Sequence, residues 1–304
     1  MIAVVIPYYK IAFFESTLIS LKNQTDKRFK VYIGNDASPD DPKPLIERYE
    51  NSFPLTYTEF KSNLGGKSLI KQWERCIDQI SDEKWIMILG DDDTLSENCI
   101  ETFYKNLKTI ENQQINVVRF ATKIINEKNE SVSDVFRHPQ MESSVDFLFR
   151  KLNGGTRSSL SEYVFSTHNV QQNKFKELPL AWHSDTLGVL EFSEFGTVFT
   201  INDAIVNFRW SGQNITSKRE DMVIKNSATF DFYYYLLNAH KKHFNATQQE
   251  TLYNRLERSF LDDKKNSYFC VKLIKIYFRN SKFRSFFSLL HKAISQGYKK
   301  QTSL

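Results

Sequence analysis

The sequence predicts an α/β fold: an open mixed sheet, mainly parallel and flanked by helices on both faces, with a helical C-terminal extension. Three observations predict it. Strand-like and helix-like segments alternate through the first 110 of 304 residues, the order expected of parallel strands joined by helical crossovers. The first and fourth strand segments are continuous aliphatic runs, as in strands buried on both faces. After about Thr216 the spacing is helical and no clear strand signal remains.

The elements follow in order. Ile2 and Val4-Val5-Ile6 form a first strand that Pro7 ends. Phe13, Thr17, Leu18 and Leu21 recur at helical spacing over 12–24. Phe29–Ile33 is a second strand, closed by the polar turn from Gly34 to Asp41, and a short helix fits Pro42–Tyr49. Leu55–Phe60 alternates as a third strand, Lys67–Ile80 is helical, and Trp85–Leu89 is the fourth strand. Further strands are expected at 115–122, 161–166, 196–201 and 204–210, with a helix over 182–192. Residues 126–140 are polar and read as a surface excursion.

Composition narrows the class. No apolar stretch approaches the roughly 20 residues needed to span a bilayer. The opening segment lacks a basic n-region and breaks at Pro7, so it reads as a core strand and not a signal peptide. Cys76, Cys99 and Cys270 are far apart and odd in number, which argues against a disulfide framework or a zinc site and fits a reducing cytoplasm. The net charge of +5 averages two unlike parts. Residues 264–304 hold ten Lys/Arg and no Asp/Glu, leaving 31 Lys/Arg against 36 Asp/Glu before them. Such asymmetry points to an anionic partner for the tail.

The most informative feature is Asp91-Asp92-Asp93, directly after the apolar run Trp85–Leu89 and Gly90. Three adjacent carboxylates cannot all stay ionised without a cation or a ring of donors. Hard cations such as Mg²⁺ or Mn²⁺ take oxygen ligands and commonly arrive with substrate phosphates. Carboxyl ends of strands are also where open α/β sheets bind ligands. The alternative is a turn and helix start, for which Asp is equally suited.

Other nucleotide-binding patterns do not fit. Gly66-Lys67-Ser68 imitates the end of a P-loop, but Lys61 stands where its first glycine belongs. Pro7-Tyr8-Tyr9-Lys10 contains no glycine, so it cannot bring backbone against a dinucleotide pyrophosphate. An aspartyl phosphatase would carry its acids after the first strand, not the fourth.

Taken in order, Val5-Ile6-Pro7-Tyr8-Tyr9, Asn35-Asp36-Ala37-Ser38, Asn63-Leu64-Gly65-Gly66 and Leu89-Gly90-Asp91-Asp92-Asp93 resemble the family 2 glycosyltransferases. The resemblance is strong over 1–110, moderate to about 215 and absent beyond. It implies the Rossmann-like GT-A fold, a nucleotide-sugar donor, a divalent metal (Mn²⁺ or Mg²⁺) and inversion of the anomeric centre. It divides the chain into a catalytic domain over 1–216, with a donor half (1–110) and an acceptor half (111–216), and a basic helical region over 217–304.

The resemblance also implies roles. Pro7 and Tyr8 line the nucleoside pocket. Asp36 accepts from a base N–H, typically of uracil; its alternative is an Asx turn. Asn35 stands where many members carry an acid. Lys67, or Lys71, reaches the base or phosphates, or remains a solvated helix lysine. Asp91 faces the ribose, Asp92 matches the metal-binding acid of the Asp-x-Asp motif, and Asp93 makes a second metal or water-mediated contact. Gly90 replaces an acid of many members.

An inverting transfer needs a base for the acceptor hydroxyl. The family supplies it from an Asp at a helix start, and Asp185 in Ala181-Trp182-His183-Ser184-Asp185 matches that position. His183 and Glu191 are nearby alternatives, and interaction with the helix dipole is the ordinary use of such an Asp. Arg209, in Asn207–Thr216, could pair with the diphosphate or be a strand-end arginine. Arg157, in the loop 154–159, is a candidate acceptor contact. The signature of processive synthases is missing, which favours single-sugar transfer.

The tail over 264–304 combines basic residues with Phe-rich amphipathic spacing, suited to an anionic membrane surface or to packing on the body. No nucleic-acid motif is present. The resulting expectation is a cytoplasmic enzyme, peripheral on the inner face of the membrane, that moves one sugar from a UDP-linked donor to a saccharide or lipid-linked saccharide in surface polysaccharide synthesis. The rivals are an inactive nucleotide-sugar-binding scaffold at the membrane, or a nucleotidyltransferase.

Overall fold

The computed structural model describes residues 1–212 and 221–301, with 295–301 described by backbone alone. The expected boundary at 216/217 and the segment Gln213–Thr216 therefore lie outside the described residues. The chain forms two compact units: Met1–Glu177 with Ser184–Lys218, and Leu178–His183 with Arg219–Leu304.

The first unit is built on a nine-stranded mixed sheet. Strands β1 (Ile2–Tyr8), β2 (Phe29–Asn35), β3 (Leu55–Glu59) and β4 (Trp85–Ile88) are joined by helices α1 (Phe14–Lys22), α2 (Lys43–Glu47) and α3 (Leu69–Ile77). These four strands run parallel in the order β3-β2-β1-β4. β1 is flanked on both sides, and its residues from Ile2 to Ile6 are fully buried. It runs through Pro7 to Tyr8, one residue past the proline expected to end it. The missing N–H costs nothing there, because pairing with β4 stops at Val5.

The sheet continues through β8 (Tyr163–Ser166), β6 (Val117–Ile125), β9 (Thr197–Arg209) and β5 (Thr94–Leu95), while β7 (Met141–Ser143) also pairs with β9. β8 is antiparallel to both β4 and β6, so the sheet is mixed beyond its first four strands. The two strands expected at 196–201 and 204–210 are one strand. Asn202 to Ala204 form a bulge, where pairing with β6 jumps from Ile201 to Ile205. Helix α4 (Cys99–Asn112) precedes β6. Helices α5 (Ser144–Leu152) and α6 (Thr167–Asn173) and strands β5 and β7 were not expected. Helix α7 (Ser184–Phe192) needs Gly188, where a Cβ would lie 2.8 Å from the Phe175 ring.

The second unit is helical where it is described: α8 (Met222–Ala239), α9 (Ala246–Asp262), α10 (Ser267–Arg279) and α11 (Phe283–Gln301). Phe230 of α8 stacks on Phe269 of α10 with ring centroids 3.9 Å apart. No helix among the described residues is long and apolar enough to cross a membrane.

Candidate functional site

Because β1, β2 and β4 are parallel, their carboxyl ends open on one edge of the sheet. That edge carries Tyr8, Asp36 and the Asp91–Asp93 loop. The Asp36 N–H donates to the Tyr8 carbonyl at 3.0 Å, which fastens the first two strand ends together.

The acid loop is held by donors from four segments. Asp91 Oδ2 accepts the main-chain N–H groups of Tyr9 and Lys10, both at 2.8 Å. Asp93 Oδ1 accepts the Arg209 N–H at 2.9 Å, and its Oδ2 accepts the Ser161 hydroxyl at 2.6 Å. Thr17 Oγ1 donates to the carbonyls of Asp91 and Asp93 at 3.2 and 2.8 Å. Burial and the charge of Asp92 push Asp91 up to about 6 and Asp93 up to about 7, and these donors offset the rise only in part.

Among the described residues no three His, Cys, Asp or Glu side chains cluster to hold a metal. Asp91 turns toward the end of β1, and Asp93 toward Ser161 and β9. Two carboxylate oxygens nonetheless face one point: a Cβ added to Gly90 would lie 3.1 Å from both Asp92 Oδ1 and Asp93 Oδ2. Glycine at position 90 leaves that space to the two acids. Mg²⁺ and Mn²⁺ need only one or two protein carboxylates when substrate phosphates complete the shell, so this donor pair fits such an ion.

Arg209 is fully buried. Its Nε donates to the Asp92 carbonyl at 2.8 Å, Nη1 to the Asn126 carbonyl at 2.8 Å and Nη2 to Asn129 Oδ1 at 2.6 Å, and the guanidinium lies 4.5 Å from the Phe13 ring centre.

Asp36 is also buried. Its Oδ1 accepts the Leu64 N–H at 2.6 Å and its Oδ2 the Gly65 N–H at 2.8 Å, while Arg75 donates to Oδ1. A Cβ at Gly65 would meet Asp36 Oδ2 at 2.5 Å, so this approach requires glycine. Asp36 thus anchors the Asn63–Gly66 loop beside the end of β2, and Lys67, next in the chain, is exposed. Pro7 is half-buried, and Tyr8 donates its hydroxyl to the Asp40 carbonyl at 3.2 Å. Burial raises the Tyr8 phenol to about 12, which keeps it neutral.

Asp185 lies half-buried in the first turn of α7 and accepts the Thr186 hydroxyl at 3.3 Å. Its charge is among those that raise Tyr163, two residues beyond Ser161. His183 belongs to the second unit, where it stacks on Phe232 at 4.6 Å and shares a hydrogen bond with Thr229 at 3.1 Å. Glu191 is near the other end of α7. Arg157 lies 4.3 Å from the Phe208 ring centre and its charge lowers Asp93. Sequence reasoning missed Ser161, Thr17 and Arg75. None carries a local motif that could have found it.

A family model described as Glycosyl transferase family 2 matches residues 3–164. The solved structure of S. aureus TarS 1–349 in complex with UDP-GlcNAc is 16% identical over 88% of this chain and 74% of that one, with a TM-score of 0.64. The same TarS fragment in complex with UDP is 17% identical over the same shares, with a TM-score of 0.60. GalNAc-T7 with UDP, GalNAc and Mn²⁺ is 10% identical over 88% of this chain and 56% of that one, with a TM-score of 0.51. At these identities the likeness shows a shared fold. No curated protein matches the chain.

Proposed function

The chain belongs to glycosyl transferase family 2, and on that premise we propose that it moves a single sugar, with inversion, from a UDP-linked donor to a glycan or lipid-linked saccharide of the cell surface. The observation that carries the reading is that Asp92 Oδ1 and Asp93 Oδ2 each lie 3.1 Å from the point a Cβ on Gly90 would occupy, at the sheet edge that also carries Tyr8 and Asp36. The solved complexes of TarS with UDP and UDP-GlcNAc support the choice of donor.

Asp92 and Asp93 would hold Mn²⁺ or Mg²⁺, which when bound neutralises charge on the departing diphosphate. Asp91, tied to Tyr9 and Lys10, sets the floor under the ribose. Asp36 and Pro7-Tyr8 shape the base pocket, Asp36 by holding the Leu64 and Gly65 amides. Lys67, exposed at the end of that loop, is free to swing toward phosphate. Arg209 serves the donor by bracing Asp92, since its guanidinium already donates to three protein oxygens. Asp185 takes the proton of the acceptor hydroxyl as that oxygen attacks the anomeric carbon opposite the leaving group.

A thermal-shift screen of nucleotide sugars with and without Mn²⁺ tests the donor. A ligand at 100 times its Kd adds about 2.7 kcal/mol to stability. UDP-sugars should raise the melting temperature in the presence of Mn²⁺, and UDP release should follow acceptor addition. A chain that binds the donor but never releases UDP would be a scaffold, and the transfer reading would fail.

A further inference from the structure

Helices α10 and α11 each bury one apolar face and expose another. On α10, Phe269, Leu273, Ile276 and Tyr277 are buried, while Val271, Ile274 and Phe278 lie on the open side. On α11, Phe286 and Leu289 are buried, while Phe283, Phe287, Leu290 and Ile294 recur at the spacing of one helix face. These seven outward side chains are between 37% and 64% exposed. Phe278 and Phe283 meet edge to face at 5.0 Å across the turn, so the two stripes form one continuous patch. Such a patch marks an interaction surface.

Charge selects its occupant. Lys275, Arg279 and Arg284 are exposed on the same two helices. Residues 264–304 contain ten Lys/Arg and no Asp/Glu. A second copy of the chain on this face would set cation against cation, which costs affinity. A bilayer with anionic headgroups satisfies both halves of the surface: acyl chains receive the apolar stripe and headgroups receive the cations. We infer that the α10–α11 face docks this protein on an anionic membrane surface. The inference stands independently of sugar transfer, since every residue it uses lies in the second unit.

Sedimentation of the full chain with vesicles tests it. Vesicles of phosphatidylcholine with one quarter phosphatidylglycerol should carry the protein down, and pure phosphatidylcholine vesicles should leave most of it in solution. Lys275→Gln and Arg284→Gln should each lower the partition coefficient about fivefold. The double variant Val271→Glu/Ile294→Glu should abolish binding, with an unchanged melting temperature because both side chains are exposed. UDP release with a soluble acceptor, measured in parallel, should not change in these variants. Three results would overturn the inference: no binding to anionic vesicles, binding that survives the double variant, or a concentration-dependent dimer that the double variant dissolves while vesicles bind nothing.

Discussion

Ser161 Oγ donates to Asp93 Oδ2 at 2.6 Å and accepts the Gly90 N–H at 3.1 Å. One hydroxyl, placed just before β8, thereby ties both ends of the acid loop after β4. Ser161→Ala removes a donor from a buried carboxylate and an acceptor from a main-chain N–H. A cost of about 1–3 kcal/mol is expected, seen as a lower urea midpoint at unchanged slope. The carboxyl of Asp93 should also titrate higher still, so that donor binding is lost at a higher pH than in the parent.

The acid loop makes stability depend on pH in an unusual sense. An unfolded aspartate titrates near 3.9. In the folded chain Asp91 is lifted to about 6 and Asp93 to about 7. Between those limits the folded state keeps protons that the unfolded state has released. The contribution of these groups to stability is therefore full below about pH 4 and falls as pH rises toward about 7. Cation binding runs the other way, because it requires ionised carboxylates. Thermal melts from about pH 5 to about pH 8 should show a declining contribution without Mn²⁺ and a growing Mn²⁺-dependent gain in the presence of donor. Asp93→Asn should flatten the first trend.

Arg209 joins β9 to the acid loop and to the 126–129 turn. Arg209→Ala removes a fully buried side chain and takes a charged donor from three half-buried or exposed acceptors, so a loss of about 2–3 kcal/mol is expected by chemical denaturation. Arg209→Lys should recover only part of this, since an ammonium cannot reproduce the planar fork.

These relationships mark how far the sequence could be read. Strands β1 and β4 were legible as short apolar runs stopped by proline or glycine, β2 by the polar turn that closes it, and β3 by its alternation. β9 was read as two strands because Asn202-Asp203 looks like a turn, whereas the structure absorbs it as a bulge against Phe120 and Ala121. Helices α5 and α6 escaped because short, mixed segments carry weak periodicity. The acids and Asp36 stood out by type and position. Their partners did not: the Tyr9, Lys10 and Arg209 donors are main-chain groups, and Ser161 reaches Asp93 across 68 positions.

As the proposed base, Asp185 would act on the acceptor hydroxyl and not on the nucleotide. Asp185→Asn should lower kcat by about 10²- to 10⁴-fold while leaving UDP-sugar affinity unchanged. Initial-rate kinetics and a binding titration on the same sample check both halves. Full turnover in this variant would remove Asp185 as the base.

Asp92 and Asp93 are proposed to bind the donor's diphosphate through a shared cation. Calorimetric titration of UDP-sugar into the parent and into Asp92→Asn, each with Mn²⁺ and with chelator, tests this binding mode most directly. The parent should bind only with Mn²⁺ present, and the variant should show no Mn²⁺-dependent binding. Equal, Mn²⁺-independent binding to both proteins would contradict it.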